Sequence, residues 1–291
     1  MIPVPDVAWP EPVLPEDPYA GDEILPWPPP RDPRRARFLA SYQAWALGHR
    51  SLEDPALRAL AEEAGLLETP DPVPLPRTLE AEARLPADAW FAHLAEDRLP
   101  DLGLIATERV LGPWADERPS RRQRLVAAGV LAFSPYMPPR VRPLERWLHE
   151  RRESPAEDRL AVRAVDRCPA MLWEVVAGLR PRALLPLPDL YLPPEPVRQL
   201  PEEDGEPAHP LDAGTWLARC FPGPGGWYAA LALPLPRCPD ITWVQCRLEL
   251  ELWRCRVLWP AFTWVDLLRE RAEVLYRCCH EWIWIAEEKA P

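Results

Sequence analysis

Apolar and polar positions divide the chain into two regimes. From Arg34 to His49, Phe38, Tyr42, Trp45 and His49 recur at helical spacing with Leu39 and Ala46, and Gly48 closes the run. Asp54-Pro55 opens a second helix, with Asp as cap and Pro at the first position, ending at Gly65. A Pro-rich connection spans Thr69 to Pro76, and shorter helices are expected over 78–85, 87–98, 101–111 and 143–152. Ser120 caps a further helix that runs through Phe133. Ser154-Pro155-Ala156-Glu157 is the clearest start signal in the chain, and its helix should reach Cys168.

Beyond that point the pattern becomes mixed. Met171–Ala177 and Ala183–Leu192 read as strands, and 193–213, with its Glu202-Glu203-Asp204-Gly205-Glu206 run, as a mobile polar loop. Two aromatic-rich runs, 215–221 and 227–233, flank Pro222-Gly223-Pro224-Gly225-Gly226 and predict a β-hairpin. Pro234 and Pro236 should end its second strand. Residues 246–252 alternate apolar and charged, which favours a strand, although Val244, Leu248, Cys255 and Trp259 also fit one helical stripe. After Pro260, Thr263 and Asp266 form a capping box. A long helix should follow, with Leu267, Leu268, Leu275, Cys278, Trp282 and Ile285 on one stripe and Arg271 as its polar interruption.

The implied architecture is α+β. Residues 1–33 form an extended acidic Pro-rich arm, 34–153 a helical domain, and 154–291 a mixed domain with a small antiparallel sheet under a C-terminal helix. Eight of the 15 Trp and six of the seven Cys lie from Gly214 onward, placing the largest buriable block there.

Charge changes the picture less by its total than by its distribution. The net charge of −11 argues against a chain drawn to nucleic acid as a whole. Yet residues 1–30 hold six acidic side chains and no Lys or Arg, while 118–152 hold nine Arg against Glu145 and Glu150. Trp9 and Trp27 in the arm, and Arg121, Arg122, Arg124, Arg140, Arg142 and Arg146, are the candidate partner-binding residues. Arginines interleaved with Tyr136 and Trp147 also suit contact with RNA or single strands, so nucleic acid is a second partner class through Arg118–Arg152.

Reactive chemistry is harder to assemble. Cys238, Cys246 and Cys255 lack the close pairs of zinc sites. Cys279 and His280 are neighbours, about 100° apart on a helix. The glycines at 223–226 sit in a turn without the lysine of a phosphate loop. No catalytic, cofactor or metal residue is therefore assigned, and no cofactor. The expectation is a non-enzymatic regulatory or adaptor protein acting through protein–protein contacts. A nucleic-acid accessory protein and a thiol or zinc enzyme are the alternatives. The start lacks a basic segment followed by an apolar one, no apolar run is long enough to span a bilayer, and seven thiols suit a reducing cytoplasm.

Overall fold

The computed structural model describes residues 32–47, 55–67, 85–96, 102–112, 119–134, 142–150, 156–186 and 191–288. Residues 1–31 of the arm, the Pro-rich connection and all but Leu85 of the helix expected over 78–85 lie outside them. The described residues form an α+β fold of helices and one mixed six-stranded sheet.

Seven helices come first: α1 (Pro33–Leu47), α2 (Pro55–Glu63), α3 (Asp88–Glu96), α4 (Leu102–Leu111), α5 (Arg121–Ala132), α6 (Pro143–Glu150) and α7 (Ala156–Arg167). Each matches a helix read from spacing and caps. At α5 the Ser120 side chain accepts from the Gln123 amide, and Gln123 reaches back to the Ser120 amide, so two orphan donors are satisfied together.

The strands are β1 (Ala170–Val175), β2 (Arg182–Ala183), β3 (Val197–Gln199), β4 (His209–Pro210), β5 (Gly214–Gly223) and β6 (Gly226–Leu235), in the order β2-β1-β5-β6-β3-β4. The β5–β6 hairpin lies in the middle. Its turn is tighter than five residues: Gly223 pairs with Gly226, leaving Pro224 and Gly225, the latter at φ +71°. Pro234 does not end the strand; it pairs with Trp216, and β6 runs to Leu235.

Two expectations fail here. The strand expected over Ala183–Leu192 stops at Ala183, hemmed by Pro181 and Pro186, which cannot donate to a ladder. The polar loop at 193–213 instead contributes β3, parallel to β6, and β4, antiparallel to β3. Both are too short to alternate visibly and are flanked by prolines. All other pairings are antiparallel.

Trp216 to Phe221 and Tyr228 to Leu233 are buried at every position, so both faces of the hairpin are covered. Helix α5 packs on β6, α7 on β5, and the last helices on β1. The main core draws residues from Phe91 to Ile283, so it runs continuously across the position near 153 where the sequence pattern changes.

Three helices complete the chain: α8 (Ile241–Leu258), α9 (Trp264–Glu270) and α10 (Ala272–Glu288). The strand expected over 246–252 is the middle of α8. The alternation arises because this helix has two apolar sides. At 100° per residue, Val244, Leu248, Leu252 and Cys255 fall within about 80° of one another, and all belong to the main core. Leu250, Trp253 and Val257 cluster on the opposite side and close a second, smaller core with Phe38, Leu39, Tyr42, Leu57, Ala61, Ala64 and Leu66. Two opposed stripes imitate a period of two.

The expected long helix after Pro260 is two helices. The Thr263–Asp266 capping box starts α9 as read. The chain then breaks at Arg271, whose φ of −122° and ψ of 38° leave the helical region.

Candidate functional site

Two buried polar constellations stand out, and neither is visible as a sequence motif. The first surrounds a β-bulge. Leu217 pairs with Leu233 and Arg219 with Ala230, so Leu231 and Ala232 face the single residue Ala218. Leu231 takes up the extra length at φ 52°, a region costly for a residue with a Cβ. Side chains from three helices satisfy the backbone groups it takes out of the ladder. Asp88 Oδ1 accepts from the Leu231 amide at 2.7 Å, and the Tyr276 hydroxyl donates to the Leu231 carbonyl at 2.8 Å. Arg122 donates to the Ala232 carbonyl from Nε at 2.9 Å and Nη2 at 2.7 Å, and also pairs with Asp88 Oδ2 at 2.6 Å. Burial pushes the Asp88 carboxyl up, opposed by Arg122 and by the Leu231 amide.

The second constellation runs between α8 and the helix break. Glu251 Oε2 accepts from Arg254 Nε at 2.8 Å and from the Tyr42 hydroxyl at 3.3 Å, while its Oε1 meets Arg254 Nη2 and, at 3.3 Å, Arg271 Nη1. Arg271 Nε donates to Glu273 Oε1 at 2.5 Å, and Ser134 Oγ donates to Glu273 Oε2 at 2.5 Å. Two carboxylates and two guanidiniums thus neutralise one another in the interior, and the break at Arg271 is the local geometry that turns its side chain inward. Each carboxylate oxygen already has a donor. These groups hold α1, α5, α8 and α10 together rather than presenting an acid or base to a substrate.

The sequence-derived arginines separate into inward and outward sets. Arg122 belongs to the bulge. Arg142 is buried in a two-pronged pair with Asp166, with Nη2 at 3.1 Å from Oδ2 and Nη1 against Oδ1. Arg121 is exposed and pairs with Glu203; Arg122 Nη1 lies 3.8 Å from Glu202. Arg124 is exposed and donates to the Pro119 carbonyl at 2.8 Å. The acidic run at 202–206 therefore meets the start of α5. Arg146 is carried on α6, while Arg140, Trp9 and Trp27 lie outside the described residues.

A further arginine was not singled out by sequence. Arg219 is fully buried, donating to the Cys168 carbonyl at 2.8 Å and the Arg269 carbonyl at 2.5 Å, with its guanidinium 4.3 Å from the Phe133 ring centre. Burial lowers it to about 10. Its position inside a strand that reads apolar gave no signal of this role.

Of the cysteines, Cys168, Cys220, Cys255, Cys278 and Cys279 are buried, Cys246 is half-buried and Cys238 exposed. Burial pushes the thiols of Cys168, Cys255 and Cys278 up to about 12, and those of Cys220 and Cys279 well above their ordinary range. A thiol held this way is a poor nucleophile and a poor metal ligand. Among the described residues, no group of three or more His, Cys, Asp or Glu is placed to hold a metal ion, and no helix is long and apolar enough to cross a membrane.

Among the described residues, the large apolar side chains exposed on the surface are Val176 at 51%, Leu179 at 61% and Trp284 at 38%. Val176 and Leu179 occupy one β-turn, closed by the Leu179 amide on the Val176 carbonyl at 2.9 Å with Gly178 at φ +74°. Arg180 and Arg182 are exposed beside them, Arg182 pairing with Glu174.

Comparison of the chain with protein-family models, with curated proteins and with solved structures finds no match.

Proposed function

We propose that this chain is a non-enzymatic regulatory or adaptor protein that works by contact with another protein. The observation that carries the reading is the turn at 176–179. Two large apolar side chains project from one rigid β-turn into solvent, with arginines at its base, the arrangement of an apolar anchor with a charged rim. Such a tip suits an apolar pocket bordered by carboxylates on the partner. Trp9 and Trp27 of the arm, with Arg124 at the start of α5, are proposed as additional contact points. The pairing of Arg121 and Arg122 with Glu203 and Glu202 and the burial of Arg142 favour this reading over nucleic-acid binding, because those charges are already neutralised within the chain.

The test compares the unmodified chain with a Val176→Glu/Leu179→Glu variant as bait in extracts of the native host. The expected result is a protein recovered in stoichiometric amount by the former and lost by the latter, at an unchanged melting temperature. Equal recovery by both baits, or no stoichiometric protein at all, removes the proposal.

A further inference from the structure

Val176, Leu179 and Trp284, the large apolar side chains left exposed among the described residues, belong to one end of the sheet. Strand β1 ends at Val175 and runs directly into the 176–179 turn. Cross-strand neighbours set that end beside the start of β5 and the end of β6: Val175 pairs with Gly214, Glu174 with Thr215, and Thr215 with Leu235. Arg237, two residues beyond β6, reaches the last turns of α10. Its Nη2 donates to the Ile283 carbonyl at 2.6 Å, and its guanidinium lies 5.3 Å from the Trp282 ring centre and 4.0 Å from Glu287. Trp284 follows Ile283 in the chain, so the turn and the exposed tryptophan are presented at the same end of the molecule.

Their surroundings carry opposite charge. Arg180 and Arg182 stand exposed at the base of the turn, and Arg180 makes no ion pair among the described residues. Glu281 and Glu287 flank Trp284 three positions away on either side along α10, and Glu287 is 63% exposed. An apolar tip rimmed by arginine and an aromatic site rimmed by carboxylate are complementary. We propose that the occupant of this end is a second copy of this chain, related by a two-fold axis. Val176 and Leu179 of each copy then rest on Trp284 of the other, with Arg180 against Glu287. Because both halves of the contact lie at one end, two identical contacts form at once and the product is a closed dimer, not a filament. The patch is smaller than that of permanent interfaces, so the dimer forms and dissociates readily. The inference rests on the reading of the 176–179 turn as a docking element and adds its regulation: the dimer hides the turn, and a foreign partner competes with the second copy for it.

Sedimentation velocity on the purified chain in reducing buffer, from micromolar to millimolar concentration, tests the dimer. A monomer–dimer equilibrium is expected, weakened at least about tenfold by Val176→Glu/Leu179→Glu and to a similar degree by Trp284→Ala. Arg180→Glu and Glu287→Arg should each weaken it, and the double variant Arg180→Glu/Glu287→Arg should restore it. The charge exchange leaves Trp284 in place, so a Trp284→Ala chain that fails to fold does not blur the result. A chain monomeric throughout, assembly that grows past two copies, a dimer indifferent to the turn or to a folded Trp284→Ala chain, or a charge exchange without restoration overturns the inference. The foreign partner is tested separately. Trp284→Ala as bait should still recover the protein that Val176→Glu/Leu179→Glu loses, and a purified dimer with nothing recovered from extracts removes the foreign partner alone.

Discussion

Replacing glycine by alanine inside a helix ordinarily stabilises it by about 0.8–1.0 kcal/mol. At Gly129, in the middle of α5, the sign should reverse. A Cβ there would stand 2.3 Å from Leu231 Cδ2 and 3.4 Å from Phe91 Cβ. A flexible side chain would normally swing aside, but Leu231 is fully buried and its backbone is held at φ 52° by Asp88 and Tyr276. Forcing an extra methyl into a packed core costs about 1–3 kcal/mol. Setting the helix gain against the upper part of that range leaves Gly129→Ala destabilising by about 1–2 kcal/mol. Urea unfolding followed by tryptophan fluorescence should show a lower midpoint at constant slope. Leu231→Ala alone should cost about 2–5 kcal/mol. Combined with Gly129→Ala it should cost less than the sum by at least about 1 kcal/mol, because the shortened side chain makes room for the methyl. A midpoint that rises in Gly129→Ala, or a strictly additive cycle, would refute the close approach and the pinned bulge together.

Glu273→Ala strips the acceptor from Arg271 and Ser134 and should destabilise by about 3–5 kcal/mol, whereas Ser134→Ala should cost about 1–3 kcal/mol; equal effects in urea melts would argue against a buried charge network. With a disulfide reagent on the native chain, Cys238 should react first and Cys246 next, the other five only as fast as the chain unfolds, so rapid modification of more than two thiols contradicts their burial. The raised thiols also fix a pH dependence. Cys168, Cys255 and Cys278 move from 9.0 to about 12 on folding, so the folded chain keeps protons that the unfolded chain releases. Their contribution is intact below about pH 9 and is lost as pH rises towards about 12. The urea midpoint should therefore fall between pH 8 and 10, and one that climbs across that interval counts against it.

Helix ends were the legible part of the fold. Asp54-Pro55, Ser120 and Thr263–Asp266 are local devices in which a side chain serves a backbone amide a few residues away, so their meaning survives without the rest of the chain. The hairpin was legible for a similar reason, since Pro224 and Gly225 define a turn by themselves. Helix α8 was not, because a pattern read against one environment misleads when a helix divides two cores. The break at Arg271 was equally hidden: its causes, Glu251 and Glu273, become neighbours of one another only after folding. The same holds for the candidate residues. Arg121 and Arg124 are on the surface as an Arg-rich run suggests, but Arg122 faces Asp88 and the Ala232 carbonyl and Arg142 faces Asp166, partners 24 or more positions away. Composition counts charges. It does not say which of them have been spent inside.

The strand order bears on how this protein behaves when concentrated. Its ten-residue strands are innermost, while the outermost strands, β2 and β4, are two residues each, and Pro210 removes a donor from β4. A strand from a neighbouring molecule approaching either margin finds almost no ladder to extend. Sheet-to-sheet stacking into fibres would first require peeling away one of these short covers, so colloidal failure should begin at the margins of the sheet and not at its tryptophan-rich centre.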